Sequence, residues 1–207
     1  MKLRTKIKIT LFVCVAFFSL STVQAQGYTK GYFSAGWQYG APLSTGFADK
    51  GSGYGLFFDC GYYLNPFFSM GVFINHQKNY EYIPRQTYPV GETATVTTDQ
   101  QHRITQLPFG VSMRYRFYTG MFQPYVGAKV GTNYTSTYSD FHTVTVYDER
   151  WGVHLSPEVG IAIFPFEHKR LGFNVSGYYS YSSNQNTLYN YELNGVNNAG
   201  FRLGLIF

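Results

Sequence analysis

The chain has 207 residues and a formal charge of +5, but four of its 16 basic residues (Lys2, Arg4, Lys6, Lys8) lie in the first 25, which contain no acid. The other 182 residues set 12 basic against 11 acidic side chains, which excludes the sustained cationic surface that a nucleic-acid partner needs. They also hold 38 of the 41 Phe, Tyr and Trp residues, too many for a disordered chain, and no stretch of them approaches the roughly 18 uninterrupted apolar residues of a spanning helix.

Residues 1–25 read as a cleaved signal peptide: a basic start, an apolar run at 9–20 (ITLFVCVAFFSL) and small residues Val23 and Ala25 before a cleavage site at Gln26. Export is therefore expected. With Cys14 removed in the leader, Cys60 is the one remaining cysteine and no intramolecular disulfide can form.

Residues 26–207 form a single predicted domain in which apolar and small or polar residues alternate with period two. In chain order the predicted strands are 28–40, 52–63, 67–79, 107–118, 122–135, 151–164, 171–182 and the C-terminal segment ending at Phe207. In the fourth, Leu107, Phe109, Val111, Met113, Tyr115 and Phe117 share one face, with Gly110, Ser112, Arg114 and Arg116 on the other. The sixth sets Trp151, Val153, Leu155, Val159, Ile161 and Ile163 against Gly152, His154, Ser156, Glu158 and Gly160. Three connections are tight (64–66, 119–121 and 165–170) and four are long and polar (41–51, 80–102, 137–149 and 183–198). Short turns alternating with long loops predict an up-and-down meander with two unlike ends, the layout of a transmembrane barrel.

Volume decides which face is inside. An eight-stranded barrel has a bore only just filled by its own side chains, and the aromatic face is far too bulky for it. The Gly, Ser and Asn face fits. The apolar face then points outward, where only a bilayer solvates so large an apolar surface. Closure satisfies every backbone group without water and removes the sheet edges. The expected fold is all-β: a closed antiparallel up-and-down transmembrane β-barrel of about eight strands. A soluble lipocalin-like barrel is the alternative that alternation alone leaves open.

The leader, the alternating strands and the ending Phe201-Arg-Leu-Gly-Leu-Ile-Phe207 resemble the small eight-stranded outer-membrane β-barrel proteins of Gram-negative bacteria. The resemblance implies a place in the outer membrane, contact with its lipid, and a monomer. It also implies that Phe201, Leu203, Leu205 and Phe207 act as a recognition signal for the barrel-assembly machinery.

His154, Ser156 and Glu158 resemble in type the His/Ser/Glu set of outer-membrane lipid A deacylases, which would make Ser156 the nucleophile, His154 its base and Glu158 the orienter. Side chains two residues apart on one strand are about 6.5–7 Å apart, too far for a relay, so these read as polar residues of the lumen. Asp59, Arg114, Arg116, Lys129, Glu158 and Arg202 are all phased inward and predict an ion-pair network that plugs the lumen; the competing reading is an ion pathway. His76, His102, His142 and His168 lack metal-ligand spacing, and the glycines at 51, 53 and 55 lack the lysine and helix of a phosphate loop, so neither metal nor cofactor is expected. Tyr32, Trp37, Tyr39, Tyr62, Tyr63, Tyr118, Trp151 and Tyr181 suit interfacial girdles.

The β-branched alternation at 93–98 (TATVTT) and 143–147 (TVTVY) lies above the predicted membrane band. Loops 80–102 and 137–149 are therefore expected to protrude as hairpins, which either offer an edge to an extracellular partner by strand addition or form a rigid surface projection with no specific partner. The Asn- and Tyr-rich stretch 184–198 suits adaptable polar contacts, or equally a tolerated variable loop. The expected function is non-enzymatic, exerted through the outer loops in surface binding, adhesion or envelope integrity. A narrow pore is the runner-up, and a lipid-modifying enzyme ranks below it.

Overall fold

The computed structural model describes residues 31–43, 46–90, 94–141, 144–166, 171–188 and 191–207; the expected leader, His142 and His168 lie outside them. Eight strands follow one another: β1 (Gly31–Pro42), β2 (Ser52–Tyr63), β3 (Phe68–Val90), β4 (Ala94–Arg116), β5 (Phe122–Phe141), β6 (Val144–Ile163), β7 (Gly172–Leu188) and β8 (Tyr191–Ile206). Each pairs antiparallel with its sequence neighbour, and β8 returns to β1 in a register running from Ser34↔Ile206 to Pro42↔Asn198, so the sheet closes.

The parity of the alternation sets the faces. Phe109, Val111 and Leu203 are 37%, 42% and 42% exposed on the outer wall, whereas Arg114 and Arg202 are 3% and 1% exposed in the bore. Along β4 and into the residue that follows it, the outward apolar series runs from Leu107 to Phe117. At about 3.3 Å per residue and a tilt near 40°, such a run rises about 25 Å, the height of an outer-membrane apolar band.

The bore is filled by fitting large side chains against glycines. A Cβ on Gly61 would meet the Tyr32 ring at 2.5 Å, one on Gly204 the Phe57 ring at 2.7 Å, one on Gly160 the Tyr125 ring at 2.8 Å, and one on Gly40 the Tyr178 hydroxyl at 2.9 Å. This corrects part of the expected girdle. Tyr32 and Tyr63 are buried in the bore, with ring centroids 5.5 Å apart, because their parity on β1 and β2 is that of Ser34 and Asp59. Trp37, Tyr62, Tyr118, Trp151 and Tyr181 do face outward.

The long connections are mostly strand. β3 and β4 continue to Val90↔Ala94, β5 and β6 to Phe141↔Val144, and β7 and β8 to Leu188↔Tyr191. The described residues within 80–102 and 137–149 thus lie in paired strands, and the tips of the expected hairpins, 91–93 and 142–143, lie outside the described residues.

Candidate functional site

Asp59 on β2, Arg114 on β4, Lys129 on β5, Glu158 on β6 and Arg202 on β8 meet in the middle of the bore. Lys129 Nζ lies 3.1 Å from Asp59 Oδ2 and 3.2 Å from Glu158 Oε2. The Arg114 guanidinium reaches Asp59 at 3.6 Å and Glu158 at 3.7 Å, and Arg202 Nη1 donates to Glu158 Oε2. Asp59 Oδ1 accepts from the Ser112 hydroxyl at 2.8 Å and the Tyr32 hydroxyl at 3.1 Å.

Three cations face two carboxylates here, and aromatic rings supply further compensation. Arg114 lies 4.7 Å from the Tyr32 ring centroid and 4.1 Å from that of Tyr125, and Arg202 lies 3.9 Å from that of Tyr178. The negative ring face stabilises a buried guanidinium where water cannot. The cluster is an ionic plug.

Arg116 does not join it. Its guanidinium stacks 3.9 Å from the Tyr63 ring, donates through Nε to the Pro66 carbonyl and through Nη1 to Gln123 Oε1 at 3.0 Å. It therefore secures the short β2–β3 turn. One inward step along the strand, about 6.5 Å, carries it out of reach of the carboxylates. The deacylase-like trio is also not assembled. Ser156 donates its hydroxyl to the Tyr179 carbonyl at 2.9 Å, His154 Nδ1 sits 2.9 Å from Ser182 Oγ, and Glu158 belongs to the plug.

A second closure lies above the first. The β1–β2 loop bends inward so that Phe47 and Ala48 are buried against Ile104 of β4 and Leu193 of β8. Phe47 stacks on the His102 imidazole (centroids 4.0 Å apart, planes at 6°), and His102 Nδ1 lies 2.8 Å from the Phe47 carbonyl oxygen. Polar contacts anchor the same loop: the Asp49 N–H donates to Glu81 Oε2 at 2.8 Å, and Asn79 Nδ2 donates to the carbonyls of Gly40 and Lys50 at 3.0 and 3.3 Å. Gly46, at φ +65°, supplies the left-handed turn.

Between the two closures the bore is lined by amides. Asn198 Nδ2 donates to Gln106 Oε1 at 3.0 Å and Asn133 Nδ2 to Asn184 Oδ1 at 3.1 Å. Asn184 and Asn198 are thus buried lining rather than an exposed adaptable tip. Sequence reasoning missed the apolar cap, although Ile104 and Leu193 break an otherwise polar inward face.

Above the barrel the sheet splits. β2–β3 pairing ends at Tyr54↔Lys78 and β6–β7 pairing at His154↔Ser182, while β3, β4, β5 and β6 stay paired with one another beyond both points. Among the described residues, β3 to β6 project as a four-stranded sheet with β3 and β6 at its edges. The β3 edge is interrupted: its register shifts between Ile83 and Gln86, around Pro84. The β6 edge is regular from Val144 to Gly152 and carries no proline. Its lower end is closed by side chains, with Asn184 Nδ2 donating to the Arg150 carbonyl at 2.8 Å and Ser183 Oγ accepting from the Val153 N–H at 2.9 Å. Among the described residues no three His, Cys, Asp or Glu side chains come together as metal ligands.

A family model described as outer membrane protein beta-barrel domain matches residues 10–207. No curated protein matches the sequence. Among solved structures, Neisserial surface protein A is 18% identical, with 87% of this chain and 98% of that chain covered and a TM-score of 0.55. The outer membrane protease OmpT from Escherichia coli is 9% identical, with 90% and 99% covered and a TM-score of 0.51. Ail, the attachment invasion locus protein of Yersinia pestis, solved with a heparin analogue, is 14% identical, with 86% and 98% covered and a TM-score of 0.46. These likenesses are of fold.

Proposed function

Because the chain belongs to the outer membrane protein β-barrel domain family of Gram-negative bacteria, we propose that it is a closed, non-enzymatic barrel that binds a protein partner at the cell surface through its projecting sheet. The observation that carries this reading is the contrast between a bore filled at two levels and a β6 edge left regular and proline-free above the membrane. A regular edge strand recruits an extended segment by strand addition. Proline and a register break blunt the β3 edge, so β6 is the side on which a strand adds.

A pore would need the ionic plug and the apolar cap to part together. A Ser156-centred lipid chemistry would need Ser156 to leave the Tyr179 carbonyl and face the bilayer. Neither arrangement is favoured by a contact among the described residues.

The test places photo-crosslinking side chains at Thr145, Tyr147 and Glu149, and separately at Tyr82 and Thr87, on whole cells. Adducts are expected from the β6 positions alone, and Val146→Pro should abolish them. Equal yields from both edges, or adducts that survive the proline, would refute strand addition along β6.

A further inference from the structure

The outward face of the projecting sheet carries a row of side chains that lies apart from the plugs and meets the β6 edge only at Tyr147. Tyr80 of β3, Arg103 of β4, Tyr138 of β5 and Tyr147 of β6 lie in one register row across four strands. The row is continuous in space. The Tyr138 and Tyr147 rings stack at 6.0 Å with 28° between planes, Arg103 lies 4.9 Å from the Tyr138 ring centroid, and Tyr54 of β2 extends the row with its ring 6.0 Å from Tyr80. At about 4.8 Å between strands, the four-strand row spans about 14 Å, the reach of a few linked sugar rings.

Polar groups flank the rings. The row below is Lys78, Thr105, Ser136 and Glu149, and the row above includes Gln101 and Asp140. Arg103 lies 3.5 Å from Asp140, so these three rows set two cations against two carboxylates and have no surplus positive charge for a phosphate. Flat rings edged by hydrogen-bonding groups and neutral overall match the chemistry of a saccharide, whose C–H faces stack on aromatic rings while its hydroxyls bond at the rim.

Height and direction identify the source. These side chains share the parity of the lipid-facing residues, so they look sideways into the outer leaflet's surroundings and not upward to the medium. Tyr147 is four residues above Trp151, and Arg103 four above Leu107. Four residues of tilted strand rise about 10 Å, which sets the row beside the first sugars of the surrounding glycolipid. We infer that this Tyr80–Arg103–Tyr138–Tyr147 row is a binding platform for the saccharide headgroup of the outer-leaflet glycolipid. It uses ring faces where strand addition uses the backbone of the β6 edge, and Tyr147 belongs to both, so a glycolipid titration, which involves no protein partner, reads it independently of strand addition.

The test titrates the purified barrel in detergent with lipopolysaccharide that retains its core sugars and, separately, with lipid A alone, counting bound copies by native mass spectrometry. The sugar-bearing glycolipid should be retained about tenfold more tightly, and Tyr138→Ala with Tyr147→Ala should remove that preference. Binding of lipid A and the heat-modifiable gel shift should not change. Tyr138→Phe with Tyr147→Phe keeps the stacking faces and should keep the preference. The single exposed change Tyr147→Ala serves if the double variant fails to assemble. Equal retention of both glycolipids by the wild type would overturn the proposal. So would a preference that survives ring removal, or one that tracks only a drop in unfolding temperature and so reports cross-strand stiffening. Crosslinking of these tyrosines to a protein, with no glycolipid preference, would assign the face to a protein partner and overturn it equally.

Discussion

Phe33 and Phe207 exchange both of their backbone hydrogen bonds: the Phe33 N–H donates to the Phe207 carbonyl at 3.1 Å, and the Phe207 N–H returns a bond to Phe33 at 2.8 Å. Phe207 therefore extends the seam that joins β8 to β1 and clasps its lower end. Its ring lies 6.4 Å from that of Phe33 on the lipid side.

Deleting Phe207 removes the clasp and the terminal aromatic together. The folded, heat-modifiable fraction in outer-membrane preparations should fall several-fold, while Phe207→Tyr should assemble normally. A deletion variant that reaches wild-type levels would show that neither the seam nor the terminal ring limits assembly.

Glu158→Gln leaves Arg114, Lys129 and Arg202 with Asp59 as the one carboxylate of the plug. Removing one partner from a buried ion cluster costs about 3–5 kcal/mol, so the urea midpoint in vesicles should drop clearly. Adding Arg202→Gln should restore part of the loss, because the two changes share one contact. A loss under about 1 kcal/mol would mean that water already reaches the cluster.

His102 lies above the apolar band, and burial holds its imidazole below the ordinary value of 6.5. The Phe47 carbonyl and the Glu81 carboxylate push the other way without cancelling the shift. The folded ring thus binds protons less readily than the unfolded one. The stability it contributes is complete above about pH 6.5 and is lost as the pH falls toward the depressed value. Hydrogen exchange at Phe47 and Ala48, corrected for its intrinsic pH dependence, should speed up from about pH 7 to about pH 5. In His102→Gln it should be flat. Exchange that slows on acidification would reverse the sign and refute this account.

Two closures in series predict how the bore responds to cutting. Phe47→Ala should expose the loop at 46–51 to protease yet leave planar bilayers silent, because the ionic plug below remains. Combined with Arg202→Ala, it should give unitary currents. Conductance from Phe47→Ala alone would mean that the plug does not seal.

The faces of this barrel were legible because parity on a strand is local: Phe109 and Arg114 must point oppositely whatever surrounds them. The asymmetry of its ends was legible from turn length. Height along the bore was not, and Arg116 shows why, since it shares the parity of Arg114 but sits one inward step too low to meet Asp59. Phe47 was hidden for a related reason. Nothing near it in sequence marks a polar loop as folding inward; its partners Ile104 and Leu193 lie on β4 and β8, and only closure brings them together.

The rings that rest on bare backbone in the bore constrain how this chain can diverge. A methyl group at Gly160 would push on Tyr125, which carries Arg114 on its face, and so would be felt at Asp59 on the far side of the lumen. Wall and filling can change only as matched pairs. Relatives should therefore trade a glycine on one strand for a smaller ring on another, and a lone exchange at such a position should vanish from populations even though it lies far from any surface a partner could touch.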